Sequence, residues 1–267
     1  MTTRATLLAV SVKERLKAIQ RSLGVDDDGI VGPATLTAIE RAVTGRQDER
    51  AHPDFSLIAS RPGLERLVEF EISSPQYYHR KLKNPVWPGG ESGVTIGIGY
   101  DLGHTMPRQI ERDWTGRIPD NDVRRLVSVA KLKGKQARQA LRRISNVSIP
   151  FAMARAVFYE STLARFAALT RRAYPGVERL PADAQAMLLS LVYNRGTTMS
   201  GSRRREMKAI KPLIRRKDLA GIADQIRSMK RLWDRNMLPG LHRRRDTEAD
   251  LIVRAERAYQ WSDLIYL

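Results

Sequence analysis

The sequence predicts a mostly helical protein of the α+β class, in which a small helical bundle precedes a larger domain with a small β lobe. Apolar residues recur at helical spacing along most of the chain. Glycine and proline concentrate in residues 83–107, which also hold the only convincing strand pattern. With 267 residues, 42% of them apolar, the chain is long enough to bury a sizeable core.

The pattern of helices and breaks divides the chain into three parts. Residues 1–45 are predicted to form the small bundle, with one helix ending at Gly24 and a second opened by Pro33. Residues 46–62 are polar and carry prolines, as is typical of a linker. Residues 63–267 form the larger domain.

The larger domain is predicted to be helical on both sides of its β lobe. Its first helix covers residues 63–72 and stops at a Ser-Ser-Pro sequence. Further helices are expected at residues 107–116, 120–128, 133–144, 150–172, 181–195, 205–215, 218–233 and 245–259.

Composition excludes several kinds of site and partner. The net charge of +18 calls for a polyanionic partner or a reason to tolerate self-repulsion. No recognition-helix or base-stacking motif accompanies it, so nucleic acid is not expected, and an anionic cell envelope accounts for the charge equally well. The absence of cysteine rules out disulfides and thiolate ligands, and the four histidines lack metal-ligand spacing, so no metal or cofactor is expected. The only apolar run near the N-terminus is too short for a signal peptide, which predicts synthesis and retention in a cytoplasm.

One carboxylate precedes the predicted ribbon, and a threonine and a second carboxylate lie within it. Glu71 closes the helix over residues 63–72, and the glycine-rich run of residues 93–101 carries Thr95 and Asp101. Cleavage of a glycosidic bond needs a proton donor on one side of the bond and a group that manages water or positive charge on the other. Glycines in the ribbon allow a sugar chain to approach its backbone closely.

In this order, these residues resemble the active site of phage-type lysozymes, the glycoside hydrolase 24-like and pesticin-like muramidases. Two later segments are similar to the same family: Tyr193-Asn194-Arg195-Gly196, and the run from Gly240 to Glu248, whose Arg and Glu we expect to form structural ion pairs. The resemblance covers about residues 63–255. It implies a two-lobed lysozyme-like domain.

The resemblance implies roles for individual residues. Glu71 would be the general acid, with Tyr78 seven residues later as in the family. The family's usual aspartate position holds Arg80, so Glu91, Asp101 and Asp113 are alternatives for the second carboxylate. Asp101 is preferred because pesticin-type enzymes place an aspartate six residues after the threonine; its alternative role is to cap the following turn. Thr95 would hold the attacking water, and substrate would contact Tyr78, Gly97, Gly99, Tyr193 and Asn194.

The N-terminal segment is similar to the small peptidoglycan-binding module of many wall hydrolases. The resemblance rests on residues 19–35 and implies a three-helix bundle. Its wall-binding groove would include Asp28, Gly29 and Thr35.

Together these resemblances imply a monomeric phage endolysin. It would hydrolyse the β-1,4 bond between N-acetylmuramic acid and N-acetylglucosamine in bacterial peptidoglycan, and would reach the wall through membrane holes made by a holin-type partner. A lytic transglycosylase remains open because it needs one acid only, and a secreted toxin would look the same. A non-enzymatic alternative also remains, in which residues 203–217 disrupt anionic outer-membrane surfaces.

Overall fold

The computed structural model describes residues 12–25, 27, 29–31, 35, 36, 38, 39, 42 and 56–267. The chain divides into two compact units, residues 1–55 and residues 56–267.

In the N-terminal unit, helix α1 (Val12–Ser22) carries a glutamine that organises the turn after it. The Gln20 side chain is buried and donates to the Ile30 carbonyl at 2.7 Å and to the Thr35 hydroxyl at 3.0 Å. Its carbonyl oxygen accepts from the backbone N–H of Gly29 at 2.8 Å. Thr35 is 3% exposed, so it contributes to this internal network and does not fit the predicted wall-binding surface. Asp28, the third predicted wall-binding residue, lies outside the described residues.

The larger unit starts and ends in one small sheet that the sequence analysis did not predict. Strand β1 (Ile58–Ser60) pairs antiparallel with strand β4 (Leu264–Tyr266). Leu57 and Leu267 extend the pairing by exchanging two backbone hydrogen bonds, at 3.0 and 2.9 Å. Residues 57–62, predicted to be linker, therefore belong to this unit, because their backbone and apolar side chains are used within it.

Helix α2 (Arg61–Ile72) follows the first strand directly, with Ser60 as its N-cap. A single helical turn (Pro75–Tyr77) and a π-helical turn (Tyr78–Leu82) lead to strands β2 (Thr95–Ile96) and β3 (Tyr100–Asp101). The remaining helices are α3 (Pro107–Trp114), α4 (Asp120–Val127), α5 (Gly134–Ala140), α6 (Phe151–Val157), α7 (Leu163–Ala173), α8 (Ala182–Arg195), α9 (Arg205–Arg216), α10 (Leu219–Ser228) and α11 (Pro239–Val253).

Helix α8 forms the centre of the core. Every residue from Ala182 to Val192 is buried, including the polar Asp183, Gln185 and Ser190, so this helix is covered by protein on all sides. The first strand rests on it through a 2.9 Å hydrogen bond from the Ile58 N–H to the Gln185 side chain. Helix α2 also packs closely against helix α8, since a Cβ built on Gly63 would lie only 2.6 Å from the Cβ of Ala186.

The predicted fold class is confirmed: the unit is mostly helical, with little strand. Most helices were predicted close to their observed bounds. The helix predicted over residues 150–172 is interrupted by a π-helical turn (Phe158–Thr162), and the one predicted over residues 218–233 ends at Ser228. The last helix begins at Pro239 and ends at Val253 because the following residues turn back towards strand β4. Among the described residues, no helix is long and apolar enough to cross a bilayer.

Candidate active site

Glu71 lies in the last turn of helix α2, where the sequence pattern placed it. Its side chain is 22% exposed, and one carboxylate oxygen accepts a 2.8 Å hydrogen bond from the guanidinium of Arg244. That guanidinium also lies over the ring of Phe70, 4.9 Å from the ring centroid. The carboxylate is therefore held from one side while part of it faces solvent.

A buried polar cluster fixes Arg244 in turn. The side chain of Arg244 is 5% exposed and donates to the carboxylate of Glu248 at 3.1 Å and to the hydroxyl of Ser190 at 3.0 Å. The same Glu248 oxygen accepts from Ser190 at 2.6 Å and from Arg245 at 2.9 Å. Because Glu248 is fully buried, these bonds are shielded from water and hold the cluster rigidly.

The last helix thus contributes more than the expected structural ion pairs. Arg244 and Arg245 do pair with Glu248 along the helix, as predicted. Arg244 additionally reaches the predicted acid, a contact that sequence spacing did not indicate. Burial lowers the pKa of the Arg245 guanidinium, although the charge of Glu248 acts in the opposite direction.

The ribbon formed by strands β2 and β3 brings two of the predicted residues side by side. Thr95 and Asp101 are paired across the ribbon, so their side chains lie on the same face. Thr95 is partly exposed, and its backbone pairs with Val86 on the other edge of the strand. The ribbon therefore places the threonine and the aspartate next to each other.

Both oxygens of the Asp101 side chain are used by the local backbone. One accepts from the Gly103 N–H at 2.8 Å and the other from the Gly93 N–H at 3.2 Å, while His104 lies 3.9 Å away. The residue caps the turn at Leu102, which is the alternative role considered from the sequence. Its side chain is still 24% exposed, so one edge of the carboxylate faces solvent.

The tip of the ribbon contacts helix α8 through Tyr193. The tyrosine hydroxyl donates to the Ile98 carbonyl at 3.3 Å, and a Cβ on Gly99 would collide with that hydroxyl. Burial, followed by the charge of Glu71, raises the pKa of the Tyr193 phenol. On the same helix, Ser190 lies three residues earlier and accepts from Arg244, which also binds Glu71, so helix α8 links the ribbon tip to the predicted acid.

Two residues predicted to bind substrate are internal. Tyr78 is fully buried, stacks near Phe151 and donates to the Ile149 carbonyl at 3.0 Å; burial raises its pKa. Gly97 is also buried, and a Cβ there would lie 3.1 Å from that of Ala154. Substrate binding by these two residues does not agree with their burial, because both are used for packing.

The competing carboxylates have other partners. Asp113 is nearly buried and accepts from the hydroxyls of Tyr100 at 2.7 Å and Ser161 at 2.9 Å. Glu91 is exposed beside Gly134. In the described part of the chain, neither shares a hydrogen bond or ion pair with Glu71.

Asn194 opens onto a basic cavity that sequence reasoning missed. The cavity holds about 360 Å³ and is lined by Asn194, Arg195, Arg203, Arg204, Trp233 and Leu241. The guanidinium of Arg195 lies over the ring of Trp233, 5.1 Å from its centroid. Burial first, and then the neighbouring arginines, lowers the pKa of Arg195 to about 10. The sequence signal for this cavity was weak, because its residues come from four separate segments.

No group of three or more histidine or acidic side chains among the described residues is arranged to hold a metal ion. The arrangement consists of a solvent-facing carboxylate fixed by an arginine, beside a glycine-rich ribbon that carries a threonine and a second carboxylate. This defines the chain as a mostly helical protein with a candidate acid–base site.

The chain belongs to a family described as a domain of unknown function, DUF8812, whose model matches residues 69–240. The matched region runs from just before Glu71 through the ribbon and Tyr193, and ends before Arg244. A comparison with curated proteins gives no match.

Proposed function

We propose that residues 56–267 cleave the glycan strands of bacterial peptidoglycan, with Glu71 as the general acid. The observation that carries this proposal is the environment of Glu71. Its partly exposed carboxylate lies at the end of a helix and is hydrogen-bonded to the buried Arg244. A general acid must be held in one orientation towards the leaving oxygen, and the cluster of Arg244, Glu248 and Ser190 supplies that constraint.

The reaction would start with transfer of the Glu71 proton to the oxygen that links N-acetylmuramic acid to N-acetylglucosamine. Positive charge then develops on the sugar ring as the bond breaks. Asp101 and Thr95 share one face of the ribbon and would position water at the anomeric carbon. The two backbone N–H groups that bind Asp101 would keep its carboxylate fixed during this step.

The ribbon tip and the end of helix α8 would bind the sugars. Gly99 is exposed and Tyr193 is partly exposed beside it, so a glycan could lie against this junction. Asn194 is exposed next along the chain and would add a polar contact. The N-terminal unit would tether the enzyme to the wall and so raise the local substrate concentration.

The test is to compare Glu71→Gln with the wild-type protein on purified peptidoglycan. We expect the rate of fragment release to fall about a hundredfold or more, the usual contribution of a general acid. Glu69→Gln is the matched control, because Glu69 lies on the same helix, is exposed and, among the described residues, pairs only with Arg66. An unchanged rate in the Glu71 variant would exclude the proposed role.

A lytic transglycosylase is the second candidate, and the capping role of Asp101 favours it. Such an enzyme needs no second carboxylate, because a hydroxyl of the sugar itself closes an anhydro ring. Mass spectrometry of the released fragments separates the two: reducing muramic ends indicate hydrolysis, and anhydro-muramic ends indicate transglycosylation. In the second case, Asp101→Asn should lower stability more than it lowers the chemical rate.

A further inference from the structure

A basic groove lies along helix α5, away from the residues assigned to catalysis. Its cavity of about 660 Å³ is lined by Lys135, Arg138, Gln139, Leu141, Arg142 and Ser145, and we call it the α5 groove. We infer that the α5 groove binds a wall polymer of alcohol units joined by phosphodiesters. The choice of the wall as the source of this polymer rests on the proposed function, whereas the phosphodiester chemistry rests on the groove itself.

Three cations lie along one side of the groove. Helix α5 continues into a 3₁₀ turn (Leu141–Arg143), and Lys135, Arg138 and Arg142 are three and four residues apart, so they occupy the same face of this segment. All three are exposed. They present a row of donors at roughly one helical turn from each other, and a flexible chain of separated anions can follow such a row.

The charge of this segment is uncompensated. Residues 131–143 contain six basic residues and no acidic one: Lys131, Lys133, Lys135, Arg138, Arg142 and Arg143. Within the described part of the chain, none of the six forms an ion pair. The acid beside this helix is Glu91, whose carboxylate lies against Gly134 and has no ion-pair partner there.

Helix α9, which is equally rich in arginine and lysine, differs in one respect. Its buried acid Glu206 binds Arg205 at 2.8 Å and also binds Arg231. Part of its charge is thereby neutralised within the fold. The α5 groove keeps its full charge for a partner.

The side chains of the groove suit phosphate groups that carry neither a lipid tail nor a stacked base. Guanidinium groups match the geometry of phosphate oxygens, and Arg138 is steadied over the Trp87 ring at 5.7 Å from the centroid. None of the exposed large apolar side chains lies in residues 131–145, so nothing there would enter a bilayer. The indole of Trp87 is occupied by Arg138 and by a bond to the Ser92 carbonyl, so it is a poor platform for stacked bases.

The groove is attached to the ribbon. The Gly134 N–H donates to the Ser92 carbonyl at 3.0 Å, and the Lys131 N–H donates to the Leu102 carbonyl at 3.0 Å. Ser92 and Leu102 flank the two strands that carry Thr95 and Asp101. A polymer bound in the groove would therefore hold the ribbon close to the wall.

The test is binding of soluble, fluorescently labelled poly(glycerol phosphate) to the full chain, measured by anisotropy at about 150 mM salt, where weak long-range attraction is screened. The groove variant is Lys135→Gln/Arg138→Gln/Arg142→Gln. The control variant is Lys208→Gln/Arg215→Gln/Arg216→Gln, which removes the same charge from exposed, unpaired positions on helix α9. Circular dichroism and thermal melting establish that both variants fold.

We expect the groove variant to bind the polymer about tenfold or more weakly, since three exposed ion pairs are lost, and the control to bind within about twofold of wild type. Equal weakening of both variants would overturn the inference, because it would indicate attraction by net charge alone. Unchanged binding in the groove variant would also overturn it. So would tighter binding of the wild-type protein to phosphatidylglycerol vesicles or to DNA than to the polymer.

Failure of this inference and failure of the proposed function are distinguishable. The Glu71→Gln protein should bind the polymer like wild type. The groove variant should release fragments from peptidoglycan stripped of phosphate polymers at the wild-type rate.

Discussion

The contact between Gly99 and Tyr193 allows a quantitative prediction for Gly99→Ala. Gly99 has a φ of +64°, where an alanine costs about 1 kcal/mol or more. The new Cβ would also collide with the Tyr193 hydroxyl and lie 3.3 Å from the ring carbon that carries it. Tyr193 cannot retreat easily, because its ring packs 4.5 Å from Phe166 and 5.8 Å from Phe158, between centroids.

The expected loss is the sum of three contributions. The backbone conformation costs about 1 kcal/mol, the broken hydrogen bond to the Ile98 carbonyl about 1 kcal/mol, and displacement of the ring about 1 kcal/mol more. We therefore expect Gly99→Ala to lower the free energy of unfolding by about 3 kcal/mol. Gly116→Ala is the matched control, since Gly116 has a φ of +75° and open space around it, and it should lose about 1 kcal/mol only.

The assay is urea unfolding of the single variants and of a double variant with Tyr193→Phe. Without the hydroxyl, most of the collision disappears, so the double variant should lose about 2 kcal/mol rather than the additive value of about 4 kcal/mol. Additive losses, or equal losses at Gly99 and Gly116, would refute the contact as the cause.

Three other residues give simpler tests. Tyr78→Phe should lower the free energy of unfolding by about 1 kcal/mol, because it removes a buried hydrogen bond, and should leave the rate of peptidoglycan cleavage unchanged. A large drop in rate without a loss of stability would instead indicate that Tyr78 binds substrate. Gly63→Ala should destabilise by about 1–3 kcal/mol in urea unfolding, because its Cβ would press on Ala186, and a neutral effect would contradict the close approach of helices α2 and α8. Burial raises the pKa of Glu206, but hydrogen bonds, first that of Arg231, outweigh burial and lower the pKa overall. The contact between Glu206 and Arg231 therefore stabilises the fold above the ordinary glutamate pKa. This stabilisation is lost as the pH falls through the lowered pKa. Glu206→Gln should accordingly be less stable than wild type at neutral pH, with a difference that shrinks in unfolding experiments below about pH 4.5, and a difference that grows there would refute the sign.

The parts of the fold that the sequence predicted are those set by local chemistry. Helix α8 was recognisable because Pro181 precedes it, Gly196 follows it and its interior is apolar. The ribbon was recognisable from its glycines, and Gly97 and Gly99 do adopt positive φ. The cap made by Asp101 was also foreseen, as an alternative, because aspartate commonly binds backbone N–H groups two residues on.

The parts that the sequence did not predict depend on distant contacts. Arg244 reaches Glu71 across 173 residues, and no periodicity links the two positions. Tyr78 was assigned to substrate because it follows Glu71 by seven residues, as a tyrosine does in the family it resembles. Only the fold shows that the Ile149 carbonyl accepts from its hydroxyl. The strands at residues 58–60 and 264–266 are too short to show alternation, and only their mutual pairing makes them strands.

That pairing also has a consequence for topology. Because Leu57 and Leu267 are hydrogen-bonded neighbours, the ends of the larger unit meet, and a short peptide could join them into a continuous loop. New termini could then be opened at an exposed turn such as Gly116, far along the chain from the join. A circularly permuted protein of this kind should keep its architecture, with residues 57 and 267 joined by a peptide as well as by hydrogen bonds.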